Sequence, residues 1–422
     1  MDSKPERQDI EPLGPTAASE TGRSLTNGIA LYLHIPFCET KCPYCDFNTY
    51  AGINHLIPSY MEALSNELRT WASTLGHPRV NTVFLGGGTP SMLSSKQMND
   101  LFTLIRAEFA VQKDAEVSAE VNPDDVTLER MTGFWEAGLN RISMGVQSFD
   151  DTELQLLGRR HDVTQALKAF EAVQRAGFSN ISMDLMYGLP HQNLDSWKRN
   201  IEGVITVAPQ HVSAYALTLE PETPMAQQVS KHILPDQDPD LAADMYEWAS
   251  AALAKAGYGN YEISNWAQPG RESKHNTTYW HNLPYLGVGP GAHSFLGGYR
   301  FANGNSPVTY MAKVNAWGEP PHDLETLLRE NPGFVQDIEP MDALTEMADS
   351  LIMGLRLAEG VRNRDFRTRF GVNLHEVYGD AIKETISLGL LKSSGMWPEA
   401  TIQLTERGKL LANEAFVRFL GD

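Results

Sequence analysis

The sequence predicts an α/β fold: a partial (β/α)6 TIM-like barrel followed by a smaller C-terminal α+β domain of winged-helix layout. Two observations carry this. Short apolar runs alternate with amphipathic helical stretches six times, which implies a parallel sheet with right-handed crossovers. Six units are fewer than the eight of a closed barrel, so the barrel is open. From Pro332 onward the alternation gives way to helical patterns and a small hairpin.

Taken in order, residues 1–28 are polar, with several Glu, Ser, Thr and Pro. They lack the apolar stretch of a secretory signal, and a disordered leader is expected. The strands are Leu31–Ile35, Thr82–Leu85, Val117–Val121, Arg141–Gly145, Ile181–Leu185 and Val212–Leu217. The helices between them are Ile57–Leu75, Lys96–Phe109, Leu128–Ala137, Val163–Ala176 and Leu194–Val207, each with apolar residues three and four apart. The barrel is expected over 29–225 and an extension over 226–330. The Pro-containing stretch Leu219–Asp238 reads as a loop, before a helix at Leu241–Ala256 and the segment Tyr258–Ile263. The C-terminal domain is expected over 331–422, with helices Asp342–Leu357 and Leu374–Leu388 before "GLLKSSGMWPEATIQLTERGKLLANEAF".

The formal net charge is −19, and no basic stripe exists to displace counterions from phosphates, so nucleic acid is not an expected ligand. No apolar run approaches the ~20 residues that cross a bilayer. All three cysteines lie between Cys38 and Cys45, which excludes a disulfide framework and points to a reducing cytoplasm.

Those cysteines stand in "LYLHIPFCETKCPYCDFNTY". Soft thiolates at Cys-x3-Cys-x2-Cys can surround one [4Fe–4S] cubane from a single loop and leave its fourth iron open. A zinc site would need Asp46, His34 or His55 as fourth ligand, and structural zinc more usually pairs two Cys-x2-Cys units. "FLGGGTPSML" follows the second strand; Gly86, Gly87 and Gly88 let the backbone approach a ligand and expose N–H groups. Glu120, Gln147, Arg159, Asp184 and Thr218 fall at or just beyond strand ends. Any one suits a structural role, but together they mark the C-terminal rim, where parallel sheets collect their active sites.

The cysteine pattern, with Tyr44 before the last cysteine, resembles the radical S-adenosylmethionine signature. The line "YLHIPFCETKCPYCDF" resembles the branch that holds the oxygen-independent coproporphyrinogen oxidases and the HemW-type heme chaperones. The resemblance implies Cys38, Cys42 and Cys45 as cluster ligands, with S-adenosylmethionine on the open iron. One electron would cleave it to methionine and a 5′-deoxyadenosyl radical. It further implies that Gly86, Gly87, Gly88 and Thr89 hold the methionine amino group. Tyr32, Tyr44, Glu120, Gln147, Arg159, Asp184 and Thr218 then contact its ribose, adenine and carboxylate.

Two features separate the chaperones from the oxidases. Phe47 stands where the oxidases carry a fourth cysteine. "KHNTTYWHNLPYLGVGPGAHSF" contains His275, Asn276, Tyr279 and Trp280 in the His-Asn-x-x-Tyr-Trp pattern that the chaperones associate with heme. An imidazole suits heme iron, which makes His275 the expected ligand, with His281 a further one. His293 lies in the Gly-rich stretch that approaches S-adenosylmethionine in the oxidases. The implied function is a cytoplasmic heme chaperone that passes heme to acceptors such as cytochromes, with peripheral membrane contact at most. The alternative is an oxygen-independent coproporphyrinogen III oxidase.

Overall fold

Alternation of side-chain character along each strand explains the architecture. In Ile29–Ile35 (β1), Leu31, Leu33 and Ile35 are fully buried in the main apolar core. Tyr32 and His34, between them, point to the opposite face and bond to one another. The computed structural model describes residues 25–330 and 333–420. The expected leader lies outside the described residues up to position 24.

Five further parallel strands follow: Arg79–Gly87 (β2), Ala110–Val121 (β3), Arg141–Gln147 (β4), Ile181–Tyr187 (β5) and His211–Ala216 (β6). They lie side by side in chain order, as sequential βα units require. Each pair is joined through a helix close to the expected place: Ile57–Thr74, Ser95–Glu108, Leu128–Ala137, Val163–Arg175 and Leu194–Val207. Local chemistry sets their ends. Ser94 with Gln97, Asp162 with Gln165 and Asn193 with Ser196 form capping boxes, and Gly138 stops one helix at φ 103°.

The sheet is wider than six strands. Tyr285–Val288 adds a seventh parallel strand outside β1, and His293–Leu296, Tyr299–Asn303 and Val335–Pro340 continue antiparallel from it. Beyond β6 lie Asn265–Ala267 and Gly259–Glu262. These runs of three to six residues are too short for a periodic signal. The stretch Leu219–Asp238 is not all loop: Pro224–Ser230 is a helix, capped by Thr223.

Phe334 and Val335 belong to the first core, and the strand Val335–Pro340 to the large sheet, so that sheet runs past residue 331. A second core runs from Met347 to Phe419. Its elements come in the order helix 343–355, strand 361–362, helices 363–370 and 374–387, then strands 391–394 and 401–404. The three strands form one sheet, which is the winged-helix order.

Candidate functional site

The cysteine loop leaves the C-terminal end of β1 and is tied to the glycine loop that ends β2. Gly88 N–H donates to Ile35 O and Thr89 N–H to Phe37 O, both at 2.8 Å. A Cβ on Gly88 would lie 2.6 Å from Phe37 O, and one on Gly87 (φ 104°) would lie 2.4 Å from the His34 ring. Side chains here would push the two loops apart. Gly87 N–H donates to Glu120 Oε2 at 3.2 Å. The N–H groups expected to face a ligand are therefore engaged within the protein. An ammonium group needs acceptors, and the carbonyls of such a loop are the atoms that can supply them.

His34 holds the loops in register. Its Nε2 bonds Asn48 O and its Nδ1 bonds Tyr32 Oη, both at 2.9 Å, so it has no nitrogen left for a metal. Each cysteine has a polar neighbour. Thr89 Oγ1 lies 3.5 Å from Cys38 Sγ, Arg159 Nη1 3.6 Å from Cys42 Sγ, and Thr49 Oγ1 4.0 Å from Cys45 Sγ. Among the described residues no three His, Cys, Asp or Glu side chains are arranged for a single metal ion. A cubane makes a different demand, since each thiolate binds a different iron.

The strand-end residues converge on the same mouth. Arg159 Nη2 donates to Asn122 Oδ1 at 2.6 Å and to Gly145 O at 2.9 Å. Gly145 O is presented by a bulge in β4, where Gln147 adopts φ 70°, a strained conformation for a residue with a side chain. Asp184 accepts from Ser143 and Ser182. Burial pushes its carboxyl up, and those serine bonds oppose the shift. Glu120 is pushed up to about 7 by burial and by the charge of Asp184, against the Gly87 N–H bond. Tyr44 packs with Leu157, Met186 and Leu217 beside Arg159. Thr218 and His293 are exposed, the one after β6 and the other after the turn that bonds Asn48 through Pro290 O.

His275 sits elsewhere. The helix Lys274–Trp280 closes the N-terminal end of the barrel, where Thr82 and Glu116 lie low on β2 and β3. Glu116 accepts from the backbone N–H of Lys274 and His275. The imidazole is fully packed, bonded at 2.8 Å to Thr82 Oγ1 through Nδ1 and at 2.8 Å to Tyr279 Oη through Nε2. It stacks on Phe84 at 5.1 Å, and burial, then Arg141, lower its pKa to about 3. Both nitrogens are occupied in this structure, so His275 would have to give up one of these hydrogen bonds to ligate heme iron. Trp280 and the two residues after it face the C-terminal domain. Arg356 lies over the Trp280 ring at 4.4 Å, and Arg369 donates to His281 O and Asn282 O.

Comparison with known proteins places this geometry. The radical SAM superfamily model matches residues 32–202, and the HemN C-terminal domain model matches residues 341–411. The heme chaperone HemW of Bacillus subtilis is 36% identical over 93% of this chain and 99% of its own length. The chain belongs to the HemW family. HemW of Escherichia coli is 34% identical over 93% of this chain and 98% of its own length. A mitochondrial relative from Bos taurus, radical S-adenosyl methionine domain-containing protein 1, is 36% identical over 91% of this chain and 86% of its own. The solved coproporphyrinogen III oxidase HemN of Escherichia coli, at 24% identity, superposes with a TM-score of 0.79 over 94% of this chain and 91% of its own, and so shares the fold.

Membership of the radical SAM superfamily implies a [4Fe–4S] cluster and S-adenosylmethionine, and the residues fit both. Three free cysteines share one loop with donors beside their sulfurs. A cluster bound there supplies an electron and an open iron. Arg159 is placed to pair with a carboxylate, while Glu120 and Asp184 can accept from hydroxyls or an ammonium group. Sequence reading singled out neither Asn122, two residues after Glu120, nor the serines that hold Asp184. Ser and Asn beside a strand end carry no signal until the strands are paired.

Proposed function

We propose that this protein is a heme chaperone: it binds heme and transfers it to acceptor heme proteins such as cytochromes, while carrying a [4Fe–4S] cluster and S-adenosylmethionine at the barrel mouth. The observation that carries this is full-length kinship with heme chaperones joined to Phe47, which is 62% exposed beside Cys45 where the oxidases place a fourth cysteine. We place its work in the cytoplasm; no helix among the described residues is long and apolar enough to cross a membrane. Cys38, Cys42 and Cys45 hold the cluster. Tyr32, Tyr44, the Gly86–Thr89 loop, Glu120, Gln147, Arg159, Asp184, Thr218 and His293 make up the S-adenosylmethionine site. The heme ligand is a residue other than His275; His281, exposed at the end of the same helix, is the nearest imidazole in sequence.

The test is heme titration of the reconstituted protein followed by absorbance, beside a coproporphyrinogen turnover assay. The reading expects a shifted Soret band at one heme per chain and no decarboxylation. Turnover without heme binding would assign the chain to the oxidases instead.

A further inference from the structure

The sulfurs of Cys38 and Cys42 share a donor chain, and its direction is set by one amide. Arginine only donates, so Asn122 must turn Oδ1 toward Arg159 Nη2, at 2.6 Å. Its Nδ2 then faces Thr89 Oγ1, at 3.1 Å. A Thr89 oxygen that accepts from Nδ2 keeps its own proton for Cys38 Sγ, 3.5 Å away. The same guanidinium places Nη1 3.6 Å from Cys42 Sγ. Asn122 is itself anchored, its N–H donating to Ser91 Oγ at 3.3 Å and its carbonyl accepting from Asp125 N–H at 3.0 Å. Cys45 lies outside this chain; its side-chain neighbour is Thr49 Oγ1 at 4.0 Å.

We infer that Asn122 is a positioning residue that points hydrogen-bond donors at Cys38 and Cys42 and thereby raises the reduction potential of the cluster. Donors to cluster sulfurs stabilise the more negative, reduced state. An amide does this because one end accepts from Arg159 while the other donates to Thr89. A carboxylate would accept at both ends and draw the Thr89 proton away from sulfur.

The inference rests on the cluster assignment, whose failure shows first, as a wild type that takes up no iron or sulfide. The test is an EPR-monitored redox titration of reconstituted wild type, Asn122→Asp, Thr89→Val, Thr89→Ser and Asn122→Asp/Thr89→Val. Thr89→Val keeps shape and removes the donor; its midpoint should fall, while Thr89→Ser should match wild type. Asn122→Asp should fall further, by at least a tenfold change in the reduction equilibrium, ~59 mV for one electron. Part of that drop is the new charge, so the decisive quantity is the drop on the Thr89→Val background, which should be smaller. Equal drops on the two backgrounds, or a Thr89→Val potential equal to wild type at full iron content, would overturn the inference. If Asn122→Asp holds no full cluster, the Thr89→Val and Thr89→Ser pair decides alone.

Discussion

The two ends of the barrel are built from similar residue types and differ in what those residues have left to do. At the N-terminal end, Glu116, His211 and His275 are engaged within the protein, beside Arg141, whose buried Nε has no hydrogen-bond partner. His211 bonds Ser182 and Tyr261, His275 bonds Thr82 and Tyr279, and Glu116 takes two backbone N–H groups beside Arg141. At the C-terminal end, Arg159 lies beside the free thiol of Cys42, and Glu120, its carboxyl pushed up to about 7, has one N–H bond. Glu120, with its one N–H bond, is thus the carboxylate at this mouth with most capacity left for a ligand, whereas Asp184 and Arg159 already hold partners inside the protein.

The comparison predicts effects of graded size. The largest fall on the thiolates. Cys38→Ala, Cys42→Ala and Cys45→Ala should each abolish the cluster after anaerobic reconstitution, since the chain has no spare cysteine. Normal iron and sulfide content in any of them would break the assignment.

Next comes Arg159→Ala. Loss of a charge-assisted bond worth about 1.5–3 kcal/mol should weaken S-adenosylmethionine roughly 10–100-fold with the cluster retained. Calorimetry on the reconstituted protein checks this, and unchanged affinity would remove Arg159 from the site.

At the other end, His275→Ala should strand the Thr82 and Tyr279 hydroxyls and lower stability by about 2–4 kcal/mol. The urea midpoint should fall, while the spectrum of bound heme stays that of the wild type. A changed heme spectrum at unchanged stability would reverse the roles given to the two ends.

The smallest effect is one of pH. Glu120 rises from 4.5 to about 7 on folding, so the empty folded state holds a proton that the unfolded chain releases. Its contribution to stability is present below pH 4.5 and is lost as pH rises through about 7. A ligand that needs the carboxylate should bind up to tenfold more weakly per unit below about pH 7 and level off above it. Affinity independent of pH between about 5.5 and about 8 would take Glu120 out of ligand contact.

Much of this was legible beforehand. The six strands and five helices showed through periodicity, and the cysteine spacing through the chemistry of thiolates. The flanking strands did not show, because Tyr285–Val288 and Asn265–Ala267 are too short to have a period. The surroundings of His275 did not show for a related reason: a histidine beside Tyr and Trp looks the same in sequence whether its nitrogens are open or satisfied. Its partner Thr82 is 193 residues away, and only the pairing of β2 with the closing helix brings them together. Asn122 stayed hidden because its meaning depends on which atom faces Arg159.

Heme transfer tests the central claim most directly. Protein loaded with one heme is mixed with an apo heme protein, separated, and the Soret absorbance of each fraction read. A chaperone should give up its heme, so the band moves to the acceptor at a rate above that of free heme controls. A band that stays with this protein, or a protein that takes up no heme while consuming coproporphyrinogen, would contradict the account.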